Sequence, residues 1–100
     1  MTGWITGSIV VTHDVGLHAR PSVKLTKLAK GFAAAVEVAG DADGPWIDAK
    51  SIVKVMALKV RQHARLHVRA RGGDAAAAVA ALLDLVRGDF GEAVADATGA

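Results

Sequence analysis

The chain has 100 residues, no cysteine, and a near balance of twelve basic and ten acidic residues. This length suits one domain with a modest core. Without cysteine there is neither a disulfide nor a thiolate metal site. The sequence shows no long apolar run and no charged N-terminal segment followed by an apolar stretch, so it predicts neither a membrane span nor a signal peptide. We therefore expect a cytoplasmic protein.

The first half of the chain begins with a strand pattern followed by a helix pattern. Residues 5–12 are rich in β-branched side chains and predict a strand. Pro21 suits the first turn of a helix, which is predicted to run to about Lys30 and to end at Gly31 in a left-handed conformation. The apolar face of this helix consists of Leu25, Leu28, Ala29 and Phe32.

A hairpin pattern follows the first helix. Ala34, Val36 and Val38 alternate with polar or small residues and predict a second strand. Residues 40–45 have turn composition, and residues 46–49 predict a short third strand that pairs with the second.

The second half of the chain predicts helix, strand and helix. Ser51 has the character of an N-cap for a short helix that runs to about Val60. Residues 65–71 alternate as a fourth strand. Asp74 is predicted to cap a last helix, which ends at Gly88. The polar side of the fourth strand carries Arg65, His67, Arg69 and Arg71.

These patterns predict an α+β open-faced sandwich with the order β-α-β-β-α-β-α. Each helix has one apolar stripe and each strand one apolar side, so a four-stranded sheet with three helices on one face is the economical architecture. We expect residues 1–88 to form the domain and residues 89–100 to be a loosely held tail. If Arg69 points to water from the open face, Arg69→Ser should change stability by no more than about 0.5 kcal/mol.

The candidate chemical site lies at the start of the first helix. His18 precedes Pro21 and the helix pattern, and Arg20 lies two residues after it. An anion at a helix N-terminus gains roughly 0.3–1 kcal/mol from the dipole, and a guanidinium fork suits phosphate oxygens. An imidazole nucleophile in this setting indicates a phosphohistidine, although a surface cap beside a solvated arginine is the alternative from the residues alone.

Two motifs in the expected order resemble the histidine-containing phosphocarrier protein (HPr) family of the bacterial phosphoenolpyruvate-dependent phosphotransferase system. The resemblance covers roughly residues 5–88. The motifs are Gly16-Leu17-His18-Ala19-Arg20-Pro21 and Ala49-Lys50-Ser51-Ile52-Val53-Lys54-Val55-Met56-Ala57-Leu58.

The resemblance implies a phosphoryl relay and an antiparallel sheet. His18 would accept a phosphoryl group through Nδ1 from phospho-enzyme I and pass it to a histidine of an enzyme IIA in sugar uptake. The protein would be a monomeric carrier without a cofactor or metal, and not an enzyme. The expected docking surface has an apolar patch of Ala19, Ile52, Val53 and Met56, ringed by Arg20, Lys24, Lys27 and Lys54.

Ser51 is a second site that the resemblance implies. In many relatives the serine at this place is phosphorylated by a kinase, HPr kinase/phosphorylase, and this weakens docking to enzyme I. A phosphate at a helix N-terminus is stabilised locally while it disturbs an apolar interface. The role of Ser51 as a helix cap remains the alternative. Val15 stands where members of the family often have Asn or Ser.

The sequence leaves two other functions open. One is a regulatory or nitrogen-branch carrier of the same family, which would also use His18. The other is a small nucleic-acid-binding domain that uses the open face, favoured by the arginine stripe but opposed by the small net charge of +2 and by few exposed aromatic residues beyond Trp46. We therefore expect no nucleic-acid partner. His13, His63 and His67 lack the further ligands of a metal site.

Overall fold

The computed structural model describes residues 3–12, 19–88 and 90. Its fold is a four-stranded antiparallel sheet with three helices on one face. The predicted element order is confirmed. The elements are β1 (Ile5–Val10), α1 (Ala19–Lys30), β2 (Ala35–Ala39), β3 (Ile47–Asp48), α2 (Ile52–Ala57), β4 (Arg65–Arg71) and α3 (Ala75–Arg87).

The strands lie in the order β1-β4-β2-β3, and every pair is antiparallel. The predicted hairpin of β2 and β3 is present, with Val38 opposite Ile47. β4 is a central strand, with Val68 opposite Gly7 on β1 and Val38 on β2. Because helices cover one face of β4, a one-residue shift in its pairing would move its buried side chains to the open face. The register of the sheet is therefore strongly specified at β4.

The core lies between the inward face of the sheet and the helices. Leu66, Val68 and Ala70 are fully buried, as their alternation predicts, and they pack with Leu25 of α1 and Leu82 of α3. The approach of α3 to β1 is so close that a Cβ placed on Gly7 would come within 2.8 Å of Leu83 Cδ1.

α1 ends at Lys30 as predicted, but the conformation of Gly31 and the end of α2 differ from the sequence prediction. Gly31 is not left-handed; instead its N–H donates to the Leu28 carbonyl at 3.0 Å, a tightened last turn that needs no special backbone conformation. α2 ends at Ala57 rather than near Val60, because Lys59 adopts a φ of 53° and turns the chain so that Val60 enters the core. No glycine or proline signals this stop.

The Asp74 side chain binds the backbone of the segment before β2 and does not cap α3. It occupies the N-cap position, but its carboxylate accepts hydrogen bonds from the N–H groups of Ala33 and Ala34 at 2.9 and 2.8 Å. These two backbone donors lower the pKa of Asp74 below its ordinary value. The prediction that the Asp74 side chain caps α3 is therefore wrong. Its carboxylate instead links the start of α3 to the residues before β2.

The division into a domain and a tail at residue 89 stays a prediction. Asp89 and residues 91–100 lie outside the described residues, but Phe90 is described and is buried, with 1% of its surface exposed. Its carbonyl accepts a hydrogen bond from the Lys24 ammonium at 2.8 Å. At least this one residue beyond α3 packs with the core.

The open face of the sheet does carry the polar side of β4, but Arg69 is not a solvated side chain. Its guanidinium donates from Nε to Glu37 Oε1 at 2.8 Å and lies 4.2 Å from the ring centroid of Trp4 and 4.3 Å from that of Trp46. Only 26% of the side chain is exposed. The premise that Arg69 points to water is therefore wrong.

We expect Arg69→Ser to lower the free energy of unfolding by about 1–3 kcal/mol, since it removes two cation–π contacts and a charge-assisted hydrogen bond. Arg65→Ser is the matched control, because Arg65 is exposed and makes one hydrogen bond to Ser8 Oγ at 3.1 Å. Urea denaturation of both variants measures the difference. Equal midpoints for the two variants would show that the contacts of Arg69 contribute nothing.

Candidate functional site

His18 lies outside the described residues, but the helix that follows it begins where the sequence places it. α1 starts at Ala19, directly after His18, and Pro21 lies buried in its first turn. The positive end of the α1 dipole therefore lies next in sequence to the candidate nucleophile. Ala19 and Arg20 are both exposed at this end.

The packing of α1 determines which of its side chains face outward. Ser22, Leu25 and Ala29 are fully buried, whereas Val23 and Lys27 are exposed. Because residues four apart share a helix face, Val23 and Lys27 form one outward stripe. Val23 was not among the predicted docking residues; its four-residue spacing from Lys27 was the signal that could have identified it.

α2 packs beside α1 and presents apolar side chains to solvent. Val55 is fully buried and anchors α2, while 74% of Val53 and 39% of Met56 is exposed. Lys54 is exposed on the same short helix. Large apolar side chains this exposed are typical of a surface that meets another protein.

A groove of about 280 Å³ lies between α1 and α2. It brings together Lys27 and Ile52, two of the predicted docking residues. The remaining lining residues, which the sequence analysis did not single out, are Val23, Thr26 and Lys30. We call this groove together with Val53, Lys54 and Met56 the helical surface. It combines apolar area with ammonium groups, which suits an acidic partner face.

Lys24 does not line this groove. Its ammonium is directed to the Phe90 carbonyl, at 2.8 Å, and the side chain is half-buried. A role for Lys24 in partner binding stays a prediction. The structure adds a second role, since the Lys24 ammonium binds the backbone of Phe90 beyond α3.

Ser51 caps α2 as the sequence predicts. Its Oγ accepts a hydrogen bond from the Lys54 N–H at 3.4 Å, and its backbone is extended, as is usual for an N-cap. The side chain is partly exposed, so the hydroxyl has both a structural role and access to solvent.

We expect Ser51→Ala to lower the free energy of unfolding by about 0.5–1 kcal/mol, at the weaker end for N-caps because this hydrogen bond is long. Ser51→Asp is the control, since a carboxylate also caps a helix and should preserve stability. Thermal melts of both variants provide the measurement. If the alanine variant melts with the wild type while the aspartate variant does not, the hydroxyl is not acting as a cap.

Within residues 3–12, 19–88 and 90, no three His, Asp or Glu side chains come together as a metal site would require. No helix in this part of the chain is long and apolar enough to cross a membrane.

Comparison with known proteins gives consistent matches. The family model for the PTS HPr component phosphorylation site matches residues 5–88. The phosphocarrier protein HPr of Cupriavidus necator is 39% identical over 82 residues, which cover 82% of this chain and 90% of that protein. The phosphocarrier protein NPr of Escherichia coli K12 is 32% identical, with 85% and 93% covered.

Larger relatives and a solved structure match as well. A multiphosphoryl transfer protein of Vibrio cholerae is 39% identical over 88 residues, and the match covers 87% of this chain but only 22% of that protein. The chain thus spans about a fifth of that relative. The crystal structure of HPr-C-His from Thermoanaerobacter tengcongensis superposes with a TM-score of 0.80 at 33% identity, covering 87% of this chain and 96% of that one.

Proposed function

The chain belongs to the HPr family of phosphotransferase-system phosphocarriers, and on that premise we propose that it accepts a phosphoryl group on His18 from phospho-enzyme I and passes it to a histidine of an enzyme IIA. The observation that carries the proposal is the family match over residues 5–88, which includes His18 directly before the first residue of α1. The protein then acts as a carrier, with catalysis shared by its partners.

The chemistry requires one nucleophilic nitrogen and a modest anion site. A neutral imidazole near pH 7 attacks the phosphorus of the donor phosphohistidine, so that one N–P bond forms as another breaks. The dipole of α1 and the guanidinium of Arg20 favour the negative charge of the phosphoryl group. Because Arg20 is exposed, this stabilisation stays small, which keeps the phosphorylated form reactive enough to transfer onward.

The helical surface supplies partner recognition in this proposal. The exposed Val53 and Met56 contribute apolar area, and Lys27 and Lys54 contribute positive charge around it. Both enzyme I and enzyme IIA would dock here in turn, since both must reach the same histidine. Phosphorylation of Ser51 at the start of α2 would place negative charge within this surface and oppose the docking of acidic partners.

We expect Arg20→Ala to fold normally, because the side chain is exposed, and to slow phosphoryl transfer at least about tenfold, equivalent to roughly 1.4 kcal/mol in the barrier. Arg87→Ala is the control, since Arg87 is an exposed arginine of α3 that pairs with Asp84. Rapid-quench kinetics with phospho-enzyme I measures both rates. Equal rates for the two variants would make Arg20 a bystander.

Phosphoryl transfer from the charged protein to an enzyme IIA tests whether the chain serves the sugar branch or the nitrogen branch of the phosphotransferase system. Carriers named HPr and NPr both match this chain closely, so a nitrogen-linked or regulatory carrier is the second candidate. We propose the sugar branch and a cytoplasmic, monomeric protein. The experiment charges the protein with phosphoenolpyruvate, magnesium and enzyme I, then offers it a sugar-specific enzyme IIA or its nitrogen-branch counterpart. Faster transfer to the sugar enzyme is expected, and faster transfer to the other would reassign the branch.

A further inference from the structure

The open face of the sheet, opposite the helices, carries stacked tryptophan and arginine side chains. The Arg69 guanidinium lies between Trp4, at 4.2 Å, and Trp46, at 4.3 Å from the ring centroids, and Arg71 lies 4.8 Å from the centroid of Trp4. These are both of the tryptophans in the chain. Trp4 precedes β1 and Trp46 precedes β3, so the stack reaches across the sheet from one edge strand to the other.

The arginines of this face differ in how many of their N–H groups already donate hydrogen bonds. Arg69 donates to Glu37 and is largely satisfied. Arg71 is exposed, and its guanidinium stacks on Trp4. Stacking restricts a guanidinium while its N–H groups remain at the ring edge, available for a carboxylate. Arg65, also exposed, uses one nitrogen on Ser8.

The charge of the face is unbalanced. The cross-strand register places Thr6, Arg69, Glu37 and Asp48 in one row. Glu37 is paired with Arg69, and Asp48 lies at the edge on β3. Arg65 and Arg71 therefore leave an excess of positive charge along β4. Arg65 and Arg71 are six residues apart on β4, a separation of roughly 20 Å along the strand, so an extended chain with acids six residues apart has the matching spacing.

We propose that the open face binds an acidic, extended segment of a partner protein, with carboxylates on Arg71 and Arg65. Charge complementarity argues for this occupant, and the stacked rings argue against single-stranded nucleic acid. Base stacking needs open aromatic faces, whereas each tryptophan here already lies against a guanidinium. This surface is separate from the helical surface, and its occupancy does not depend on His18.

The test uses the full chain and a synthetic twelve-residue peptide of alternating Glu and Ser with blocked ends. Binding is followed by tryptophan fluorescence, since both tryptophans lie on this face, and by calorimetry. We expect saturable binding that weakens with added salt, and we expect Arg71→Gln and Arg65→Gln each to weaken it at least about threefold, as for loss of one charge-assisted contact. Arg61→Gln is the matched control, because it removes the same charge from an exposed residue outside β4.

Three outcomes would overturn the proposal. The first is an absence of saturable binding at millimolar peptide. The second is an equal loss of affinity in Arg61→Gln, which would indicate attraction by net charge alone. The third is tighter binding of a twelve-nucleotide oligo-dC than of the peptide, which would assign the face to nucleic acid.

Discussion

His18→Ala will take up no phosphoryl group from phospho-enzyme I, whereas the wild type will take up one. The side chain at this position is the proposed nucleophile, and alanine has no atom that can form the bond. Because His18 precedes the first residue of α1, the substitution replaces no residue of the helix itself. Radiolabelled phosphoenolpyruvate with magnesium and enzyme I measures the incorporation.

His63→Ala is the matched control for this experiment. His63 is an exposed histidine in the turn before β4, with a φ of 73°, and it lies far along the chain from α1. It should incorporate phosphate as the wild type does. Stoichiometric, stable labelling of His18→Ala would contradict the assignment of the nucleophile.

Val68→Asp will unfold the domain. Val68 is fully buried on the central strand β4, between Gly7 and Val38, within the cluster of buried apolar side chains. An unpaired carboxylate there costs several kcal/mol, and a domain of this size has only about 5–10 kcal/mol of stability in total. Circular dichroism and thermal melts should show the loss of the cooperative transition.

His67→Asp controls for the new side chain itself. It introduces the same carboxylate one residue away on the same strand, but on the open face, where His67 is only half-buried. This variant should fold. A cooperative melt of Val68→Asp within a few degrees of that of His67→Asp would show that the inward face of β4 has been misassigned.

The elements that follow a clear period were predictable from the sequence. β4 alternates without interruption, and its bounds and its buried side are as predicted. The start of α1 next to Pro21 and the cap at Ser51 were also predictable, because each depends on local chemistry. Arg20 and Lys54, which the family resemblance assigned to the site, are exposed, and their roles stay predictions.

The contacts that the sequence did not reveal join residues far apart in the chain. An aspartate at position 74 gives the same local sequence signal whether it caps α3 or accepts a hydrogen bond from the Ala33 N–H. Only the fold brings these two segments together. The same is true of Lys24 and Phe90. Trp4 gave no periodic signal, and its contact with Arg69 arises because β1 and β4 are neighbours in the sheet.

The location of the phosphate on the wild-type protein tests the central claim most directly. After charging with phosphoenolpyruvate and enzyme I, tandem mass spectrometry and phosphorus NMR at alkaline pH should place one phosphoryl group on the imidazole of His18, and brief acid treatment should release it. A phosphate that survives acid and maps to Ser51 or another hydroxyl would contradict the account.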